Sequence, residues 1–257
     1  MRHPLPELLY RARNPGFVAD SAIRATTYLW DLVSPFEFSV LFREVQPYTM
    51  CSSARLRGLY RAVRYVAENR VPGDLVECGS AKGGSAALMA LTSRRLGENR
   101  RIWLFDTFEG LPAPTSDDPD YKIASLFTGD CVGTLDEVQK LFGRLHLAED
   151  ARFVKGLFQE TLHRTQIPTI AVLHIDGDWY ESVKVCLDEL YDKVTPGGVI
   201  QFDDYGYWQG ARRAVDEFFE RRGITPTLQR LDFSGRSLIK SADSAVQQPG
   251  VNLSSTG

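Results

Sequence analysis

Two short apolar runs, each ending in a pair of carboxylates, constrain this chain more than any other feature. Ile170-Ala171-Val172-Leu173-His174-Ile175 runs into Asp176-Gly177-Asp178, and Gly198-Val199-Ile200-Gln201-Phe202 runs into Asp203-Asp204. Nearly continuous apolar runs of this length read as strands buried on both faces, the habit of parallel sheets covered by helices. Neighbouring parallel strands end on one rim, where ligands bind. Four carboxylates converging there would raise one another's pKa unless a positive charge sits among them. A hard, oxygen-seeking divalent cation meets that need.

The rest of the chain supplies the matching units. Leu56, Leu59, Tyr60, Val63 and Val66 recur at helical spacing over 54–69, with Ser52 or Ser53 as N-cap. Val71-Pro72-Gly73 then launches a strand over Asp74–Cys78. Further strands are expected over 101–105, ending at Asp106, and over 152–155. Helices are expected over 85–96, 134–145, 160–163, 182–194 and 210–222. Thr195-Pro196-Gly197-Gly198 reads as a turn, and 225–233 with 237–240 as a hairpin around Ser234-Gly235-Arg236. This order predicts an α/β fold with a doubly wound, mostly parallel seven-stranded sheet and an antiparallel strand at its edge. Residues 1–55 read as a helical cap or oligomerisation segment and 56–241 as the core. The polar, Ser/Gln/Gly-rich stretch 242–257 reads as a disordered tail.

Composition narrows the partners. A formal net charge of −3 lacks the basic field of a nucleic-acid binder. The arginine pairs at 94–95, 100–101, 212–213 and 221–222 are interleaved with acids and read as solvated helix faces and ends. No apolar run reaches the roughly 18 residues of a membrane span, and the N-terminus lacks a signal-peptide core. Cys51, Cys78, Cys131 and Cys186 are scattered, without zinc-ligand spacing, which suits a reducing compartment. A cytoplasmic protein without nucleic-acid or membrane partners is the expectation.

A second cluster, Glu77-Cys78-Gly79-Ser80-Ala81-Lys82-Gly83-Gly84, follows the first core strand. A glycine turn there lets backbone approach a ligand and aims a helix N-terminus at it. The spacing is neither G-x-G-x-x-G nor a phosphate loop. Glu77 stands where a zwitterion's ammonium could be held, and Asp106 where ribose hydroxyls are commonly bound. By itself this is also the pattern of an ordinary tight turn with a capping acid.

Together with the carboxylates on strands four and five, these residues resemble class I S-adenosylmethionine methyltransferases of the metal-dependent O-methyl branch. The closer resemblance is to the macrocin O-methyltransferase family, whose members methylate sugar hydroxyls on macrolides and related natural products. It is carried by 71–79 (Val-Pro-Gly-Asp-Leu-Val-Glu-Cys-Gly), Gly83-Gly84-Ser85, 105–112 (Phe-Asp-Thr-Phe-Glu-Gly-Leu-Pro), 175–180 (Ile-Asp-Gly-Asp-Trp-Tyr) and Pro196-Gly197-Gly198…Asp203-Asp204-Tyr205. Tyr48-Thr49-Met50…Ser53…Arg55-Leu56 resembles the segment before the family's core, so the likeness covers about 46–240. The chain departs from many members at Ser80-Ala81-Lys82.

The resemblance implies that Asp176, Asp203 and Asp204 ligate Mg²⁺ and that Asp178, with Asp176, serves the chemistry as general base. It implies S-adenosylmethionine contacts from Glu77, Gly79, Ser80, Gly83, Ser85, Asp106, Thr107, Gly156, Phe158 and Asp176. It also implies a glycosylated small-molecule acceptor and a homo-oligomer. Asp-x-Asp is equally a nucleotide-sugar glycosyltransferase motif, but that reading leaves Glu77-x-Gly79, Gly83-Gly84 and Asp203-Asp204 without a role. A catalytically inactive binding module on the same fold is the non-enzymatic alternative. His174 reads as a satisfied core histidine. Trp179, Tyr180, Tyr205, Tyr207 and Trp208 read either as core or as a wall for a sugar, and 112–121 as either a lid or a solvated loop.

Overall fold

The computed structural model describes residues 25–242. Residues 1–24 and 243–257, which hold the first part of the expected cap and nearly all of the expected tail, lie outside the described residues. Residues 25–33 are helical. After them come α1 (Glu37–Val45), α2 (Ser53–Glu68), β1 (Asp74–Cys78), α3 (Gly84–Arg95), β2 (Ile102–Asp106), α4 (Tyr121–Ala124) and α5 (Leu135–Arg144). The chain continues through β3 (Ala151–Lys155), α6 (Phe158–Thr161), β4 (Ile170–Ile175), α7 (Tyr180–Leu190), β5 (Val194–Phe202), α8 (Gln209–Arg221), β6 (Gln229–Arg230) and β7 (Arg236–Ile239).

The helix starts follow from local chemistry. Ser52 accepts a hydrogen bond from the Arg55 amide at 3.2 Å, satisfying one of the free donors of the first turn of α2. Thr134 and Glu137 cap α5 reciprocally, each side chain taking the other's backbone N–H. Strand residues alternate between two packed layers. Leu75, Leu104, Val172 and Val199 face the layer built from α1, α2, α3 and α5. Val76, Phe105, Leu173 and Ile200 face the layer built from α7 and α8. Phe38, Leu41, Phe42 and Val45 of α1 lie inside the first layer, so this part of the N-terminal segment shares the hydrophobic core.

The seven strands are ordered β3-β2-β1-β4-β5-β7-β6, with β1 to β5 mutually parallel. The antiparallel strand, β7, is not at the edge as expected but one position inside it, because β6 pairs along its far side. β6 itself is two exposed residues rather than the long run read over 225–233. Pro226 has no N–H to donate, and the segment has only one neighbour to pair with. The turn expected at 195–198 is absorbed into the start of β5: Gly197 donates to the Lys240 carbonyl (2.7 Å) and Lys240 to the Gly198 carbonyl (2.8 Å). Strand order reverses between β1 and β4, which opens a crevice at their C-terminal ends.

Candidate active site

The crevice is a cavity of about 320 Å³ fed by every parallel strand. Gly79 follows β1, Asp106 ends β2 and Thr107 follows it, Gly156 and Phe158 follow β3, Asp176 and Asp178 follow β4, and Asp203 and Asp204 follow β5. Met50, Cys51 and Arg55 close it from the N-terminal side, and Tyr207, Trp208 and Phe127 from the other. Of the residues assigned from sequence to the cofactor, Gly79, Asp106, Thr107, Gly156, Phe158 and Asp176 line the cavity. Glu77, Ser80, Gly83 and Ser85 adjoin the glycine turn without lining the cavity.

Two of the glycines have reasons that no ligand supplies. Gly79 has φ +92°, and a Cβ there would lie 1.8 Å from the Asp176 carbonyl oxygen. Gly83 has φ +82° and a Cβ would press on Val138. Both positions need glycine so that β1 can run beside β4 and α3 beside α5. The turn is held by Asp106. Its Oδ2 accepts from the Ser80 and Ala81 amides at 2.7 and 2.9 Å, and its Oδ1 from the Phe108 amide at 2.6 Å. Burial pushes the Asp106 pKa up while these three amides pull it down.

A polar triad crosses the middle of the sheet, on the face covered by α2. Glu77, His174 and Gln201 are register neighbours on β1, β4 and β5. His174 is fully buried, with Nδ1 2.9 Å from Glu77 Oε1 and Nε2 3.2 Å from Asp203 Oδ1. Burial opposes charge on this ring, but the two carboxylates outweigh it and raise its pKa to about 9. It is therefore an imidazolium at neutral pH, donating from both nitrogens. It is a satisfied core histidine, as the sequence suggests, and it also fixes one oxygen of each acid. Glu77 Oε2, also buried, is left without a partner, as is Ser80 Oγ.

The four rim carboxylates do not form one group. Asp176, Asp178 and Asp204 present ligand oxygens within 4.8 Å of one another. Burial raises the pKa of all three. Repulsion from neighbouring aspartates adds to it, and Asp204 reaches about 6. Asp203 turns elsewhere, to His174 and to Arg55, which also reaches Asp232 at 3.3 Å. For Asp203, burial acts upward, but Arg55 and His174 prevail and hold it below the usual carboxylate range. Asp178 sits at φ +55° and accepts from Trp208 Nε1 at 2.9 Å, while its amide donates to Asp204 at 3.1 Å. Three buried or half-buried carboxylates with excess negative charge make an oxygen donor set that suits a hard divalent ion. The orphaned Glu77 and Ser80 oxygens beside the glycine turn suit an amino-acid moiety.

Sequence reasoning passed over several of these groups. Arg55 lies in the first turn of α2, where nothing in the helical pattern distinguishes it from a surface arginine. Cys51 precedes the same helix, and its thiol lies 3.6 Å from Asp203 Oδ2. The 112–121 loop is anchored rather than free: Asp118 accepts from the Tyr180 amide, Asp120 from the Gln209 amide, and Pro112 O from Trp179 Nε1. Two helices, α7 and α8, thus receive their N-terminal carboxylates from this loop. Of the five flanking aromatics, only Tyr207 and Trp208 line the cavity. Trp179 packs under the loop, and the Tyr180 and Tyr205 hydroxyls bond Glu217 and Asp216.

The strand order, the glycine turn after β1 and the acid ending β2 define a class I S-adenosylmethionine-dependent methyltransferase. The profile of the macrocin-O-methyltransferase (TylF) family matches residues 43–238, and the chain belongs to that family. It is 36% identical over 193 residues to the demethyldecarbamoylnovobiocin O-methyltransferase of Streptomyces niveus, covering 73% of this chain and 74% of that one. It is 35% identical over 194 residues to the 8-demethyl-8-(2,3-dimethoxy-alpha-L-rhamnosyl)-tetracenomycin-C 4'-O-methyltransferase of Streptomyces olivaceus, with coverage of 73% and 74%. Among solved structures, the O-methyltransferase NovP superposes with a TM-score of 0.70 at 33% identity, over 76% of this chain and 83% of that one. The calicheamicin methyltransferase CalS11, at 21% identity, shares the fold with a TM-score of 0.61, over 85% of this chain and 91% of that one. Among the described residues no helix is long and apolar enough to cross a membrane.

Proposed function

We propose that this enzyme methylates a sugar hydroxyl on a glycosylated natural product, with Mg²⁺ held at the acidic rim. The observation that carries the reading is the carboxylate group of Asp176, Asp178 and Asp204 standing in the same cavity as the glycine turn and Asp106. Relatives support the acceptor class, one being named as a mycinamicin III 3''-O-methyltransferase, of Micromonospora griseorubida.

Each group has a distinct task in this proposal. Glu77 offers its free Oε2 to the cofactor's ammonium, Ser80 its hydroxyl, and the Gly79, Gly83 and Ser85 turn the backbone around its methionine end. Asp106 and Thr107 face the ribose, Gly156 and Phe158 the adenine. Asp176, Asp203 and Asp204 are the residues that would hold Mg²⁺, with Arg55 yielding Asp203. The cation would orient the acceptor hydroxyl and stabilise negative charge on its oxygen. Asp178, fixed by Trp208, takes the hydroxyl proton. Its raised pKa suits a base, which must hold the proton it receives. The described part of the N-terminal segment, residues 25–55, contributes to a homo-oligomeric contact.

The test is transfer of a labelled methyl group from S-adenosylmethionine to glycosylated macrolides lacking one O-methyl group, in Mg²⁺ and in EDTA. Label on a sugar oxygen that disappears in EDTA is expected. Transfer unchanged in EDTA overturns the metal assignment. Calorimetry showing no S-adenosylhomocysteine binding in either buffer overturns the cofactor assignments.

A further inference from the structure

The two helices that follow the carboxylate strands start without caps of their own. Their N-cap positions hold Trp179 and Trp208, and neither side chain caps its helix, because an indole only donates. By contrast, α2 and α5 are capped from within by Ser52 and Thr134. The missing acceptors come from one loop far upstream. Asp118 Oδ1 takes the Tyr180 amide at 2.7 Å, across 62 residues, and Asp120 Oδ2 takes the Gln209 amide at 2.9 Å, across 89. Asp120 Oδ1 also accepts from Gln209 Nε2 at 2.8 Å. Asp118 is buried in a notch between the two helix starts, where a Cβ on Gly210 would lie 2.1 Å from its Oδ1. The loop is closed at its neck: Leu111 donates to the Asp130 carbonyl and accepts from the Gly129 amide, each at 2.9 Å.

The tryptophans at those cap positions bracket Asp178. Trp208 donates from Nε1 to Asp178 Oδ1 at 2.9 Å, while Trp179, the next residue after Asp178, donates from Nε1 to Pro112 O at 2.7 Å. The two indoles meet edge to face at 5.1 Å, and Phe127 of the same loop packs edge-on against Trp208 at 5.5 Å. Asp178 itself has φ +55°, a conformation that a non-glycine residue keeps only where its surroundings over-determine it. The loop thus grips the backbone two residues after Asp178 and one residue after Trp208.

We propose that Asp118 and Asp120 are positioning residues of the methyl transfer: by capping α7 and α8 from one loop, they fix the two helix starts relative to each other and hold the Trp208 indole on Asp178. The effect on the reaction rests on the reading of Asp178 as the base; the mechanical link from Asp120 to Trp208 does not. A misplacement of about 1 Å can cost a reaction about a hundredfold. Loss of a cap should therefore lower kcat and leave cofactor affinity alone.

Asp120 is only half-buried, so its variants are expected to fold. In full-length protein labelled with 5-fluorotryptophan, each of the four tryptophans gives a ¹⁹F resonance, and Trp208→Phe identifies that of Trp208. Asp120→Ala should shift or broaden this resonance. Asp120→Asn should restore it, because asparagine keeps an acceptor for the Gln209 amide. An unmoved Trp208 resonance in Asp120→Ala overturns the proposal whatever the activity. With a glycosylated macrolide lacking one O-methyl group as acceptor, Asp120→Ala should lower kcat by about tenfold, with S-adenosylhomocysteine affinity unchanged. Asp120→Ala combined with Trp208→Phe should be no more than about twofold slower than Trp208→Phe alone, since both act through one contact. Losses that multiply to about a hundredfold overturn transmission through Trp208. Native-rate transfer by Trp208→Phe would instead refute the role of Asp178, and is told apart by a Trp208 resonance that still moves in Asp120→Ala.

Discussion

Replacing His174 by Gln isolates the contribution of the buried imidazolium. In the native protein this ring lies between Glu77 and Asp203, and Glu77 keeps no other hydrogen-bond partner. Removing the cation leaves a buried carboxylate unpaired, a change that costs about 3–5 kcal/mol. Its pH signature is separable from simple loss of packing. A ring raised from 6.5 to about 9 binds more proton folded than unfolded between those values. Its stabilisation is therefore complete below pH 6.5 and lost as pH climbs through 9. The loss amounts to about 3 kcal/mol, at about 1.4 kcal/mol per pH unit. Urea unfolding in EDTA at half-unit steps from pH 6 to 9.5 measures it. The native protein should lose stability across that window, and His174→Gln should start lower and lack this alkaline slope. An unchanged slope in the variant, or a loss at pH 6.5 below about 1 kcal/mol, would refute the charged bridge.

Further expectations follow from the same geometry. Ionised Asp204, with its pKa raised to about 6, opposes folding above that pH and ceases to do so as it protonates. In EDTA its contribution to thermal stability should therefore improve as pH falls from 7 to 5, and Mg²⁺ should raise the melting temperature more at pH 7.5 than at pH 5. An equal Mg²⁺ effect at both pH values would contradict this. Gly79→Ala places a Cβ against the Asp176 carbonyl at a φ that alanine avoids, so stability should fall by more than about 3 kcal/mol, with lower soluble yield and melting temperature. A folded, fully stable variant would count against this close approach of Gly79 to the Asp176 carbonyl. Trp208→Phe keeps the ring but removes the hydrogen bond to Asp178, so kcat should fall by about tenfold with S-adenosylhomocysteine affinity unchanged. An equal loss of cofactor affinity would show instead that the cavity wall had collapsed.

The sequence by itself determined the parts of this protein that are local. Apolar runs of four to six residues ending in acids became β2, β4 and β5, with those acids at or just past their C-terminal ends. Ser52, one of the two N-cap candidates read before α2, caps it, because a cap is written within four residues. Repeated β-α order was enough for a parallel sheet, since right-handed crossovers leave few alternatives. Boundaries depending on a distant neighbour were not legible: 225–233 shrank to two residues, and the expected turn at 195–198 became strand because Lys240 supplied hydrogen bonds.

The site shows the same division more sharply. Its acids were visible one by one, yet which of them face each other was not. Asp203 and Asp204 are adjacent in sequence, and a strand end points neighbouring side chains in different directions. One joins Asp176 and Asp178, the other Arg55, Cys51 and His174. Arg55 and Cys51 lie about 150 residues upstream of the acids they meet, and no pattern along the chain carries a contact at that range. Packing of α2 across β4 and β5 brought them there, and only the folded sheet sets the charge balance that gives each carboxylate its own pKa.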